Sequence, residues 1–157
     1  MDTNVLATEQ VAVLGVIEPQ ATITTTQYSN VIDLSKFIQA LGIAFIGAIN
    51  ASDQVVFSAY ACDSAGANAS AFKTVTFAPT TATTYGNQNT QIKIGVRADD
   101  LTNQTYQYMK FGLKCGTTGG PAAIVVLGID PKYGPASDWD LASVTVNNTN
   151  ILTGLGF

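Results

Sequence analysis

Apolar and polar residues alternate with a period of two along much of the chain, the pattern of strands with one face turned to water. In Gln91–Arg97, Ile92, Ile94 and Val96 point one way while Gln91, Lys93 and Arg97 point the other. Tyr106–Cys115 repeats the scheme, with Met109, Phe111, Leu113 and Cys115 inward and Tyr106, Tyr108, Lys110 and Lys114 outward. Further strands are predicted at Val11–Ile17, Val31–Leu34, Val55–Cys62, Phe72–Phe77, Ala122–Ile129 and Ala142–Val146. Leu41–Ile49 is apolar on both faces. Leu41, Ile43, Phe45 and Ile49 alternate there with the mostly small Gly42, Ala44, Ile46 and Ala48, which suits a central strand packed closely by a second layer. Gly42, Gly47 and the β-branched isoleucines argue against a helix.

Turn-forming clusters separate these runs, among them Asp63-Ser64-Ala65-Gly66, Ala98–Asn103 and Gly116–Gly120. Many short strands without an amphipathic helix predict an all-β chain, an antiparallel β-sandwich or barrel. Ala78–Asn89, uncharged and with little bulk, is expected to form a long surface loop or an arm. The Thr22–Thr26 run reads as less committed to the core. One β-sandwich domain is expected over 31–146, with an N-terminal arm or edge-strand segment (1–30) before it and a C-terminal tail (147–157) after it.

Charged residues make up only 11% of the chain, less than half of the roughly 25% usual in globular domains. The net charge is −4 and the few Lys and Arg stand singly, so neither nucleic acid nor an anionic membrane is an expected partner. The apolar run Leu41–Ile49 is about half the ~18–20 residues a membrane helix needs. The first residues lack the basic and apolar regions of a signal peptide, and the chain is expected to be made and used without export. There are no histidines, which removes Ser-His-Asp and Cys-His catalysis, histidine zinc sites and histidine pH switching. Cys62 and Cys115 are expected to be buried thiols, a single disulfide between them being the other arrangement.

Two clusters could carry chemistry. Asp99-Asp100 with Asn103 supplies oxygens for a hard cation, although Asp and Asn after a strand more often satisfy turn amides. Asp138-Trp139-Asp140 could flank a sugar ring, although a lone Trp is more often a packing anchor. No nucleophile has a recognisable base or elbow, and Gly116–Gly120 lacks the lysine and helix of a phosphate loop. No catalytic, cofactor or metal site is therefore expected, and the chain reads as a non-enzyme. The outward Tyr106 and Tyr108, with Tyr60 as a third candidate, suit an interface, the other arrangement being that a second sheet or the long loop covers them. In the tail, Ile151, Leu152, Leu155 and Phe157 could tuck onto their own domain or grip a neighbour.

Three stretches taken together carry a resemblance. They are Val31-Ile32-Asp33-Leu34-Ser35-Lys36-Phe37, the Val96–Leu101 turn leading to Tyr106–Lys110, and Val126–Ala136. Their order resembles small structural proteins encoded among the head genes of tailed bacteriophages, the capsid cement or decoration proteins. The resemblance implies a jelly-roll or related β-sandwich with extended terminal segments and no catalytic residue. It also implies binding to the major capsid protein on the outer head surface, self-association as a dimer or trimer, and assembly in the host cytoplasm. Two other readings are a tail, collar or fibre-associated virion component, and a carbohydrate-binding β-sandwich with Trp139 and the outward tyrosines as its platform.

Overall fold

In the computed structural model the described residues are 7–50, 53–78, 90–102 and 104–142. The strands are β1 (Val11–Gln20), β2 (Gln27–Tyr28), β3 (Ile32–Asp33), β4 (Phe37–Ile46), β5 (Val55–Cys62), β6 (Ser70–Phe77), β7 (Thr90–Arg97), β8 (Tyr108–Cys115) and β9 (Ala122–Pro131). Short 3-10 turns at Leu34–Lys36, Ala98–Leu101 and Ala136–Trp139 join or follow them. One sheet has the order β1-β9-β4-β7; the other runs β2-β8-β5-β6, with β3 also on β8. Every pairing is antiparallel.

With β2 and β3 taken as two pieces of one interrupted strand, the pairing is nested. β1 pairs with β9, β2 and β3 with β8, β4 with β7, and β5 with β6. A long hairpin with its bend between β5 and β6 has been rolled into two facing sheets, which is the jelly-roll form of the β-sandwich. β1, within the stretch expected as an arm or edge strand, is the outer strand of its sheet.

The core lies between the sheets. From the second sheet come Val55, Phe57, Ala59, Met109, Phe111 and Leu113, each without measurable exposure. Against them stand Ala40, Gly42, Ala44, Ile92, Ile94 and Val126 of the first sheet. This decides which face of β4 is inside. The small residues turn inward because the Phe57–Phe111 pair, its rings stacked 5.5 Å apart, fills the space opposite. A Cβ on Gly42 would lie 2.7 Å from the Phe111 ring. The bulky Leu41, Ile43 and Phe45 therefore face away from the core, half-buried or exposed.

The Thr22–Thr26 run is more committed than its composition suggested. Ile23 is only 1% exposed, its amide donates to the Gly120 carbonyl (3.1 Å), and its carbonyl accepts from Cys115 (3.2 Å). One apolar side chain among threonines is enough to pin the segment to the β8–β9 connection. Of the expected Ala78–Asn89 loop only Ala78 is described. The Ala142–Val146 strand beyond Ala142 and the tail residues Ile151, Leu152, Leu155 and Phe157 also lie outside the described residues.

Candidate functional site

The outer face of the β1-β9-β4-β7 sheet follows directly from the orientation of β4. Alternation places Leu41, Ile43 and Phe45 there, and the register sets Leu127 beside Leu41, Val125 beside Ile43 and Ala123 beside Phe45. On the far side of β9, Val13 lies beside Leu127 and Val16 beside Val125. These side chains are half-buried, except Phe45, which is 46% exposed. The result is a contiguous aliphatic surface, whereas the outward faces of most antiparallel sheets are polar. Its flanks are charged. Lys93 and Arg97 project from β7, and Glu18 projects at the end of β1. Between Phe45 and β1 the small Ala123 leaves an open notch of about 270 Å³, bordered by Val16, Glu18, Pro19 and Val125.

The second sheet carries an aromatic cluster on its outer face. Tyr28 and Tyr60 meet edge to face with centroids 5.3 Å apart, and the Lys110 ammonium sits 3.9 Å from the Tyr28 ring centroid. Gly112 lies under them, where a Cβ would come within 2.7 Å of the Tyr60 ring. Lys110 also donates to the Gly66 carbonyl (2.6 Å), which fixes the β5–β6 bend. That bend is held from within by Asp63, which accepts from the amides of Ala65 (3.0 Å) and Ala67 (2.8 Å) and from the Asn68 side chain (3.0 Å). Burial, with the Tyr60 phenol beside it, pushes the Tyr28 hydroxyl above its usual range.

The expected interface tyrosines occupy less prominent places. Tyr108 lies one outward step along β8 from Lys110, half-buried and opposite Asp33 and Cys62; Tyr106, also half-buried, precedes the strand. Tyr28, 44% exposed, was not legible as a surface aromatic because its strand is two residues long and follows a threonine run. Gly112 in mid-strand was the available signal, since an interior strand glycine often marks close approach.

Of the two candidate clusters, Asp100 and Asp140 are engaged in holding backbone amides. Asp100 pairs with Lys73 (2.6 Å) and accepts from the Arg97 amide (2.8 Å), and these two contacts hold its carboxyl below the usual range. Lys73 belongs to β6 and also donates to the Gly95 carbonyl of β7 (3.1 Å), so it fastens the neighbouring edges of the two sheets. Asn103, the third residue of that cluster, lies outside the described residues. Among the described residues no three His, Cys, Asp or Glu side chains are grouped to hold a metal. Asp140 accepts from the Val13 amide (2.6 Å) and the Leu141 amide donates to the Val13 carbonyl (3.0 Å), which covers part of the free edge of β1. Trp139 packs against the core, donates to the Tyr133 carbonyl (3.3 Å), and carries Lys36 4.6 Å over its ring. It serves as a packing anchor.

Asp53, nearly inaccessible, accepts from the Thr118 hydroxyl and from the amides of Thr117 (2.9 Å) and Thr118 (3.4 Å). Gly116 must be glycine there, with φ at +73° and no room for a Cβ beside Asp53. The Thr118 hydroxyl first, then the Thr117 amide, lower the Asp53 pKa. The folded chain therefore binds fewer protons at Asp53 and Asp100 than the unfolded chain does. Stability from these groups is present above the ordinary carboxylate pKa, near 4, and is lost as pH falls through the depressed values. With no histidine to titrate, Tm is expected to stay level from pH 8 to 5 and to fall below about pH 4. Asp53→Asn should lower Tm at pH 7 and flatten the acid limb, as read by thermal melts across pH.

Cys62 and Cys115 are free and buried. Burial pushes the Cys115 thiol up to about 11, with Asp53 adding to it. Burial also raises Cys62, an effect that Lys110 opposes. Thiols of this kind are inert. Ellman's reagent at pH 8 is expected to label neither cysteine in the folded chain and both after unfolding in guanidinium.

No protein-family profile and no curated protein matches this chain. Solved structures do. One is from Bacillus endospore appendages, described as a family of disulfide-linked pili, at 10% identity and a TM-score of 0.39 over 82% of this chain and 98% of that one. Another is the enzymatically active domain of tailspike protein 4 of bacteriophage CBA120. It matches at 16% identity and a TM-score of 0.40, over 69% of this chain and 15% of that one. Neither is described as a head cement protein.

Proposed function

We propose that this chain works by surface contact and not by turnover, as a virion structural protein. It is a capsid cement or decoration protein that binds the major capsid protein on the outside of a tailed-phage head and stabilises contacts between capsomers, after assembly in the host cytoplasm. The observation that carries this reading is the contiguous apolar outer face of the β1-β9-β4-β7 sheet, a surface larger in kind than the scattered apolar residues of an ordinary monomer. The jelly roll, an architecture frequent in viral capsid domains, and the resemblance of Val31–Ala136 to head cement proteins support it. A surface poor in charge forms contacts without stripping many ions of water. Repetition over a shell turns a modest contact per copy into high avidity.

The test is addition of the purified chain to phage heads that lack it. Binding to heads, with a rise in the temperature at which they break open, is the expected result. Binding confined to tails, collars or fibres would move the chain to that part of the virion. No binding to any particle would overturn the virion reading. The carbohydrate-binding alternative draws less support, because the Trp139 part of its platform is engaged by Tyr133 and Lys36.

A further inference from the structure

We infer that two copies of this chain associate back to back through the outer faces of their β1-β9-β4-β7 sheets, about a two-fold axis that runs along the strands between β9 and β4. The inference rests on the reading of the chain as a contact protein and gives this face to a second copy, which leaves the other surfaces of the pair to meet the capsid.

Three features of the face fit a second copy. The first is its apolar centre, formed by Leu41, Ile43, Val125 and Leu127, which are paired neighbours on the two middle strands. Sheets that stack face to face bury side chains of this kind in a layer ~10 Å thick. The second is charge. Glu18 stands on the β1 flank and Lys93 and Arg97 on the β7 flank. An axis along the strands lays β1 of one copy over β7 of the other and keeps each residue at its height, so Glu18 comes within one outward step of the partner's Lys93, twice. An axis across the strands would lay β7 on β7 and oppose like charges.

The third feature is shape. Phe45 protrudes from β4, and the notch floored by Ala123 lies beside it on β9. The same axis lays β4 over β9, which carries each Phe45 to the partner's Ala123 notch. Knob and hole are then satisfied reciprocally, as an isologous interface requires. A four-stranded face of this length projects on the order of 500 Å², and its accessible surface exceeds its projection. That brings it near the roughly 800 Å² per partner of stable interfaces.

Sedimentation of the purified full chain tests this without any phage particle. A dimer is expected at micromolar concentration. Val125→Glu, on the outer face, should weaken it by about 100-fold or more by placing an unpaired charge in the centre, while circular dichroism stays unchanged. Glu18→Lys and Lys93→Glu should each weaken it by roughly tenfold, and the double exchange should restore it. Ala123→Trp, which fills the notch, should also weaken it.

A chain that stays monomeric at 100-fold higher concentration overturns the inference, whether residues 143–157 or another protein covers the face. A trimer, or a dimer indifferent to all four substitutions, overturns it as well. A monomer that binds heads would sink this inference and leave the proposed function standing, and a dimer that binds no particle would do the reverse.

Discussion

Phe111→Ala is expected to destabilise the fold by about 3–5 kcal/mol, the cost of an aromatic truncation in a core that cannot collapse around the loss. The ring has no exposure, stacks on Phe57 at an interplanar angle of 29°, and lies over Gly42 of the facing sheet. Both neighbours are held by sheet pairing, so neither can move in to fill the space. Domains of this size have total stabilities of ~5–15 kcal/mol, so the variant should unfold with a Tm lower by roughly 10 °C or more. Urea unfolding followed by circular dichroism measures it. Lys114→Ala, at an exposed position of the same strand, should change stability by no more than ~0.5 kcal/mol.

Gly42→Ala is expected to go against intrinsic preference. Alanine in a strand interior is ordinarily better than glycine by about 0.5–1 kcal/mol. Here the added methyl would lie 2.7 to 2.9 Å from three atoms of the Phe111 ring, and the expected result is a loss of about 1–3 kcal/mol. The same substitution in a Phe111→Leu background should cost less, because the obstructing ring is gone. A coupling of at least ~0.5 kcal/mol between the two positions is the expected reading of the double-mutant cycle. Additive costs would mean that Gly42 is needed for some reason other than the close approach of the two sheets.

Strands β7 and β8 were legible because their alternation has one polar and one apolar set. Ile92, Ile94 and Val96 could only go inward, and so could Met109, Phe111 and Leu113. β4 was legible as a central strand, but its direction of facing was not. Both of its residue sets are apolar, and what decides between them is Phe111, nearly seventy positions further along the chain and across the sandwich. Ile23 was hidden for a similar reason, since its partners Gly120 and Cys115 are distant in sequence. The apolar outer face had a trace on β9 as well. Val125 and Leu127 alternate with Ile124 and Val126, and two-sided apolar strands read as buried on both sides. In this sheet one side has its cover within the chain and the other has none among the described residues. Alternation put Tyr106 and Tyr108 outward, where both are half-buried, whereas the more exposed Tyr28 sits on a strand too short to show any period.

The nested pairing also governs how the chain reaches its native state. Val13 bonds to Asp140, 127 positions away, and among the described residues β9 is the one sheet neighbour of β1. On a ribosome, β1 must therefore wait for β9 before its sheet pairing can form. Topologies with such high contact order fold on a scale of milliseconds to seconds. During that wait the aliphatic residues of β1 remain open to aggregation, and a cell that makes this protein in quantity is expected to shield it with a chaperone until β9 has emerged.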